Sequence, residues 1–212
     1  MRISWVGWIL LVGGLLSAGC NWLTPLIFIG EHKREVAPEF DKLAHSKVAV
    51  VVWTDQSTLF DYPYARLELA TFVGDKLYGE MAQRSLDTEV VDPRDVDDYL
   101  QQVPDAAIDP VQVGRHFDVD YVIYIEVLEY QTRDPQQPQL LRGKISAAVA
   151  VHDIRSDPDL AEAFELAPVD CVYPENAPVM VSRTNSRPIR EATYVKFSEL
   201  VARKFYEYME DL

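Results

Sequence analysis

Apolar residues follow two different spacings along the first half of this chain, and each spacing predicts one kind of element. The unbroken β-branched run KVAVVVW, Lys47–Trp53, is typical of a strand that is covered on both faces. From Tyr64 to Gln83 the apolar residues recur every three or four positions, which predicts an amphipathic helix. The predicted stripe of that helix consists of Leu67, Ala70, Gly74, Leu77 and Met81. Thr88–Asp92 predicts a short strand, and the Asp-Pro pairs that start at Asp92 and Asp109 each predict a helix capped by aspartate.

Strands predominate in the second half. Asp120–Tyr130 alternates in polarity and predicts a long strand, and LRGKISAAVAVHDI predicts its antiparallel partner. AFELAPVDCVYP predicts a third strand, in which Pro168 requires an edge position or a bulge. Tyr173–Pro188 predicts a loop, and Pro188–Leu212 predicts a terminal helix. The order β-α-β-α-α-β-β-β-α predicts an α/β (α+β) domain with a mixed sheet, in which parallel strands precede an antiparallel meander and the helices pack on the sheet.

The chain begins with the three parts of a secretory signal peptide. Arg2 and the amino terminus are positively charged, Ile3–Leu16 is apolar, and Ser17–Gly19 offers small side chains to a peptidase. Cys20 follows directly, and this arrangement resembles the bacterial lipoprotein signal, in which the cysteine thiol receives a diacylglycerol and becomes the first residue. The resemblance implies a lipoprotein anchored through lipidation of Cys20, with fatty acids such as palmitate. By the same resemblance, Asn21 in the second position implies the periplasmic face of the outer membrane.

Two other interpretations of this segment stay open. Cys20 could be a small buried hydrophobe, as free cysteines often are. Alternatively, the apolar run joins NWLTPLIFIG in one uncleaved transmembrane segment, although Pro25 interrupts that run and a proline inside a helix costs about 3 kcal/mol. The predicted organisation is a signal peptide over residues 1–19, a membrane-proximal tether over 20–46 and a single domain over 47–212.

The charge balance argues against two classes of anionic partner. The chain has 34 acidic and 20 basic residues, a formal charge of −14 and a pI near 4.6, which argues against nucleic acid and against electrostatic docking to anionic lipid. Its hydrophobic fraction of 48% is typical of a globular protein with a core. Once Cys20 is lipidated, Cys171 has no disulfide partner in the chain, and we expect it to be a buried thiol.

No sequence pattern of a catalytic or metal site occurs. The histidines at 32, 45, 116 and 152 are not at zinc-binding spacing, and there is no C-x-x-C, P-loop or G-x-S-x-G. The acidic run DPRDVDD lacks the glycine and terminal glutamate of a calcium loop, and helix capping explains it. Glu126 and Glu129 are expected to face opposite sides of their strand, so that they do not form an acid/base pair. We therefore expect no catalytic residue, metal or cofactor.

Three segments resemble a group of cell-envelope α/β domains. They are KVAVVVW, TEVVDPRDVDDYL and VQVGRHFDVDYVIYIEVLEY, in which Asp118–Tyr121 forms the turn before the last strand. Lys47–Ile154 is similar to the curli secretion-channel lipoprotein, to lipoprotein activators of penicillin-binding proteins and to bacterial lipoproteins of unknown function. The amino-terminal domain of the Tol-system propeller protein shares that fold. The resemblance implies an adaptor, tethered to a membrane, that binds another envelope protein or assembles into a ring.

Two functions of different class follow. The first is a membrane-anchored, non-enzymatic binding or assembly module of the envelope, which binds an envelope protein or further copies of itself. Its candidate partner-binding residues are Phe60 and Tyr62 in the predicted loop Thr54–Pro63, because aromatic side chains bury a large area at little rotamer cost. These two side chains could also fold back onto the domain. The alternative is a lipid-anchored periplasmic hydrolase or small-ligand-binding protein with a site between that loop and the helix tips, and the absence of a nucleophile motif favours the first function.

Overall fold

The computed structural model describes residues 33–103, 108–155, 163–182 and 184–211. The predicted signal peptide, the lipidation site Cys20, the first part of the tether and His32 lie outside the described residues. The chain divides into two compact units. The larger unit is Ala37–Tyr208, and the smaller contains, of the described residues, 33–36 and 209–211.

Eight described strands form two sheets. In chain order they are β1 (Lys33–Val36), β2 (Lys47–Trp53), β3 (Glu89–Val90), β4 (Tyr121–Arg133), β5 (Leu140–Asp153), β6 (Ala163–Tyr173), β7 (Val179–Met180) and β8 (Tyr208–Asp211). β1 and β8 pair in a two-stranded sheet, and the six-stranded sheet has the order β3-β2-β4-β5-β6, with β7 paired to the start of β5. β2 is parallel to β3 and β4, whereas β4, β5 and β6 form an antiparallel meander. This topology confirms the predicted mixed sheet.

Five described α-helices accompany the sheet. They are α1 (Gln56–Asp61), α2 (Ala65–Gln83), α3 (Pro93–Leu100), α4 (Pro110–His116) and α5 (Ser186–Ala202). The two predicted aspartate caps are confirmed, because Asp92 accepts a hydrogen bond from the Arg94 N–H and Asp109 accepts one from the Val111 N–H. Within the described residues, no helix is both long enough and apolar enough to cross a membrane.

Strand β2 separates two apolar cores. Its alternate residues Val48, Val50 and Val52 enter the first core, which also holds apolar side chains of α2 and α5. The intervening Ala49 and Val51 enter the second core, with apolar side chains of α3 and α4. This confirms that the strand is covered on both faces, where each buried large side chain contributes roughly 1.5–3 kcal/mol.

The segment just before β2 also contributes to the first core. Phe40 and Leu43, which belong to the predicted tether, are 5% and 1% exposed. The ring of Phe40 lies 5.3 Å from that of Tyr121 and 5.4 Å from that of Phe164, between centroids. The described end of the tether is therefore packed against the sheet.

A bulge in β4 changes which side chains share a face. The β4–β5 register shifts by one residue at Leu128, which is an extra residue on β4. Glu126 lies opposite Ala148. Glu129 lies opposite Ser146, two positions earlier on β5, so both glutamates lie on the same face of the sheet. The prediction of opposite faces was wrong, because it extended the alternation of side chains through this bulge.

The free edge of the sheet is partly closed by side chains. β6 is the edge strand and its register shifts around Pro168, as predicted. The Ala167 N–H donates to Glu39 Oε2 at 2.7 Å, and Lys196 Nζ donates to the Val172 carbonyl at 3.1 Å. Since these groups and the proline occupy the edge, β6 is poorly suited to pair with a further strand.

The terminal helix is shorter than predicted. α5 ends at Ala202, a 3₁₀ turn (Arg203–Phe205) follows, and the chain continues into β8. The prediction of a helix over Pro188–Leu212 was therefore wrong beyond Ala202. The N–H groups of residues 39–40 donate to the Lys204 carbonyl at 2.9 and 3.0 Å, so this end of the helix is capped by a distant segment of the chain. The apolar residues that this segment buries include Phe197, Val201 and Phe205.

The two predicted loops contain regular structure. Within Thr54–Pro63 the chain forms α1, because the side chain of Asp55 accepts a hydrogen bond from the Thr58 N–H at 2.7 Å and so caps a helix. Within Tyr173–Pro188 the chain forms β7 and the first turn of α5. The prediction of irregular loops was wrong at these positions.

Candidate functional site

The two aromatic residues predicted to bind a partner occupy different environments. Phe60 lies in the last turn of α1 and is 87% exposed. Tyr62 follows α1 directly and is half-buried. The structure therefore brings the two residues to the end of one short helix but presents only Phe60 to solvent.

Tyr62 fixes the end of α1 to the sheet. Its hydroxyl shares a hydrogen bond with Thr132 Oγ1, and its ring centroid lies 4.9 Å from that of Tyr130 on the same strand, β4. The Tyr130 hydroxyl in turn shares a hydrogen bond with Tyr194 of α5, and burial raises the pKa of Tyr130 to about 12. The Tyr130 hydroxyl therefore remains protonated at neutral pH, and these contacts fix the base of α1 to the sheet.

Tyr64 extends the exposed aromatic surface. It is 70% exposed, and it stands at the position that precedes α2. Its apolar ring was overlooked in the sequence because it was assigned to the predicted helix rather than to the loop. Proline at position 63, between two tyrosines, is the local signal that a turn separates α1 from α2 there.

Two carboxylates flank the exposed aromatics. Asp55 precedes α1 and Asp61 ends it, and both are exposed. Hydrogen bonds from the Ser57 hydroxyl and from the Thr58 N–H hold the pKa of Asp55 below its usual value. Asp55 is therefore ionised at neutral pH. We call the surface formed by Asp55, Phe60, Asp61 and Tyr64 the α1 surface.

A shallow groove lies beside the end of β6, the last strand of the meander. It has a volume of about 650 Å³ and is lined by the segment that follows β6 and by the outer face of α5. Its apolar lining includes Val195, which is 52% exposed. Its charged side chains are all ion-paired: Lys196 with Glu175, and Glu199 with Arg203 at 2.5 Å.

The residues considered for catalysis or metal binding do not converge in the described structure. Glu129 is engaged by Lys144 at 2.5 Å and by the Gln131 amide at 2.6 Å. His116 stacks on Tyr99, and His152 lies edge-on to Tyr124, where burial lowers the pKa of its imidazole. Among the described residues, no group of three or more His, Cys, Asp or Glu side chains is placed to hold a metal ion.

The predicted buried thiol is confirmed. Cys171 on β6 is free and buried, and its Sγ lies 3.6 Å from the Thr193 carbonyl, to which the thiol donates. Burial raises the pKa of Cys171 to about 11. A thiol in this state is a poor nucleophile at neutral pH.

Comparison with known proteins gives distant structural likenesses. No protein-family model and no curated protein matches the chain. Similar solved structures include the PelC dodecamer from Paraburkholderia phytofirmans, with a TM-score of 0.44, 10% identity and coverage of 82% of this chain and 96% of that one. Lipoprotein GNA1162 from Neisseria meningitidis is similar with a TM-score of 0.39, 18% identity and coverage of 69% of this chain and 94% of that one. The hypothetical protein CT253 from Chlamydia trachomatis is similar with a TM-score of 0.40, 16% identity and coverage of 75% of this chain and 90% of that one. A bacterial lipoprotein is thus among the solved structures to which this chain is similar, and no family assignment follows.

Proposed function

We propose that this chain is a lipoprotein, anchored in the membrane through acylated Cys20, that acts as a non-enzymatic binding module of the cell envelope. The α1 surface is its partner-binding surface. The periplasmic side of the outer membrane, which Asn21 implies, is the proposed location. The observation that carries the binding role is the exposure of Phe60 on a helix that is held rigidly from below.

A rigid exposed aromatic side chain is well suited to binding. Phe60 is 87% exposed, whereas Tyr62, two residues later, is held by Thr132 and Tyr130. Because α1 is capped and its end is fixed, a partner that covers Phe60 gains apolar burial without having to order the helix. Buried aromatic anchors of this kind account for much of the energy of protein interfaces.

The small volume of the cavity near the carboxyl end of β2 favours a binding module over a hydrolase. The cavity between α2 and α3, lined by side chains such as Val52, Arg66 and Asp97, has a volume of about 10 Å³. That is room for one water molecule, whereas sites for small ligands usually measure about 300–1,000 Å³.

The proposal is tested by chemical crosslinking in intact envelopes that contain the wild-type chain, Phe60→Ser or Tyr78→Ser. Tyr78 on α2 is a matched control, because it is also an exposed aromatic residue, at 59%. We expect one specific crosslinked band to disappear in Phe60→Ser alone, with unchanged urea unfolding. Tyr62→Ser is unsuitable, since it would remove the hydrogen bond to Thr132. Loss of the band in both variants, or in neither, contradicts the proposal.

A further inference from the structure

Among the described contacts, no cation pairs with the carboxylates of the α1 surface. The Asp55 carboxylate bonds to the Ser57 hydroxyl and to the Thr58 N–H, both of them uncharged donors. Among the described contacts, Asp61 forms no ion pair. From Thr54 to Ala65 the sequence contains these two aspartates and no lysine or arginine, and the next residue, Arg66, donates to the Thr54 carbonyl at 3.0 Å. The surface is therefore locally acidic as well as aromatic.

Some carboxylates elsewhere in the fold are paired with cations, whereas others, such as the exposed Asp75 and Asp98, form no ion pair among the described contacts. On α2, Glu80 pairs with Lys76 at 2.8 Å and with Arg84 at 2.5 Å. On α5, Glu191 pairs with Arg187 at 2.6 Å, and the groove described above is ion-paired throughout. The α1 surface differs from the paired regions, because its two carboxylates form no ion pair among the described contacts and are close in sequence to the exposed rings of Phe60 and Tyr64.

We infer that the partner of the α1 surface is a basic polypeptide segment, whose arginine or lysine side chains lie against Phe60 and Tyr64 and between the two aspartates. This inference rests on the proposed function, since it takes α1 as the binding surface, and it adds the chemistry of the partner. A cation over an aromatic face is attracted by the ring, and arginine can stack on the ring while it bonds a carboxylate. The net charge of −14 steers a basic segment towards the chain.

The same charges disfavour an anionic lipid surface as the occupant. Aromatic residues are common at membrane interfaces, but here an aspartate stands at either end of α1. An anionic leaflet repels such a surface, since membrane-docking surfaces need basic residues. Charge complementarity therefore selects the basic polypeptide.

The test uses the full chain in zwitterionic detergent micelles, titrated with the synthetic peptide octaarginine. Aromatic NMR signals of Phe60 and Tyr64 report on the α1 surface, and those of Tyr78, which lies three residues after the exposed Asp75, are the internal control. We expect saturable shifts at Phe60 and Tyr64 that are lost in high salt, and none of this size at Tyr78. Octaglutamate should produce no shift.

Variants separate the contributions of charge and ring. Asp55→Asn/Asp61→Asn should weaken octaarginine binding about fivefold, since each exposed ion pair contributes little, and asparagine preserves the helix cap. Phe60→Leu, which keeps an apolar side chain but removes the ring, should weaken it about threefold. Asp75→Asn is the charge control and should have no effect.

Three results of the titrations would overturn the inference: no saturable shift at Phe60, equal shifts at Tyr78, or equal weakening by Asp75→Asn. Equally tight binding of anionic vesicles, or of a neutral apolar peptide, would also overturn it. Binding of the neutral peptide at Phe60 would leave the α1 surface as a partner site but remove its preference for a basic segment. The crosslinking of Phe60→Ser in envelopes decides the proposed function independently of octaarginine.

Discussion

At the scale of single residues, one close contact sets the distance between α5 and the sheet. A Cβ atom added to Gly143 of β5 would lie 2.0 Å from Thr193 Oγ1. Thr193 is 2% exposed and donates to the Ile189 carbonyl at 2.8 Å, so it has no room to withdraw. The helix therefore packs where it does because position 143 lacks a side chain.

Gly143→Ala should accordingly destabilise the domain by about 1–3 kcal/mol through overpacking. Gly79→Ala is the matched control, because a Cβ at Gly79 meets nothing within 4 Å in the middle of α2. That change should stabilise the domain by about 0.5–1 kcal/mol through helix propensity. Urea unfolding of both variants measures the difference, and changes of the same sign would contradict the packing described here.

Cys171 predicts a dependence of stability on alkaline pH. Burial raises the pKa of the thiol from 9.0 to about 11, so in this range the folded chain binds more protons than the unfolded chain. The contribution of the protonated thiol is present below pH 9 and is lost as the pH rises towards 11. The wild type should lose up to about 1.4 kcal/mol more per pH unit than Cys171→Ala. Unfolding curves of the two proteins that fall in parallel would contradict this.

At the scale of elements, predictions from local signals in the sequence were confirmed, whereas features that depend on contacts between distant residues were not predicted. Asp92 and Asp109 cap the helices that their adjacent prolines start, because cap and proline are consecutive in sequence. α1 was missed since six residues are too few for an apolar repeat. β8 was assigned to the last helix because Tyr208 follows Phe205 at a helical spacing of three, and its partner β1 lies at the other end of the described chain. In the candidate site, likewise, the contact of Tyr62 with Thr132 was not predicted, because it joins residues 70 positions apart in the sequence.

The connection between the tether and the end of α5 gives a second dependence on pH. Glu39 accepts hydrogen bonds from Lys204 Nζ at 2.9 Å and from the Ala167 N–H at 2.7 Å. Partial burial acts to raise the pKa of Glu39, but these bonds outweigh it, so the pKa is below its ordinary value of 4.5. The stabilisation is therefore present above pH 4.5 and is lost as the pH falls below it.

Glu39→Gln should cost about 1 kcal/mol at pH 7, because Lys204, which is 7% exposed, loses its charged partner. The difference from the wild type should shrink at pH 3, because the wild-type carboxyl takes up a proton as the pH falls below 4.5 towards its lowered pKa. Glu191→Gln, which breaks an exposed ion pair with Arg187, should cost less at both pH values. Urea midpoints at the two pH values supply the comparison, and a cost of Glu39→Gln that does not depend on pH would contradict the pKa shift.

At the scale of the whole molecule, the proposed function requires a permanent anchor and a surface that can reach a partner. With a net charge of −14 the chain is repelled by anionic lipid, so the lipid on Cys20 would have to supply the attachment. Residues 20–36, which precede the larger unit, would connect that lipid to the unit that carries the α1 surface.

Mass spectrometry of the amino-terminal peptide, from protein extracted from membranes, tests the anchor most directly. The account predicts a chain that begins at Cys20 and carries a diacylglyceryl thioether and an amide-linked acyl chain. Cys20→Ala should release the protein from membranes into the soluble fraction. A chain that still begins at Met1, with an unmodified Cys20, would contradict the account.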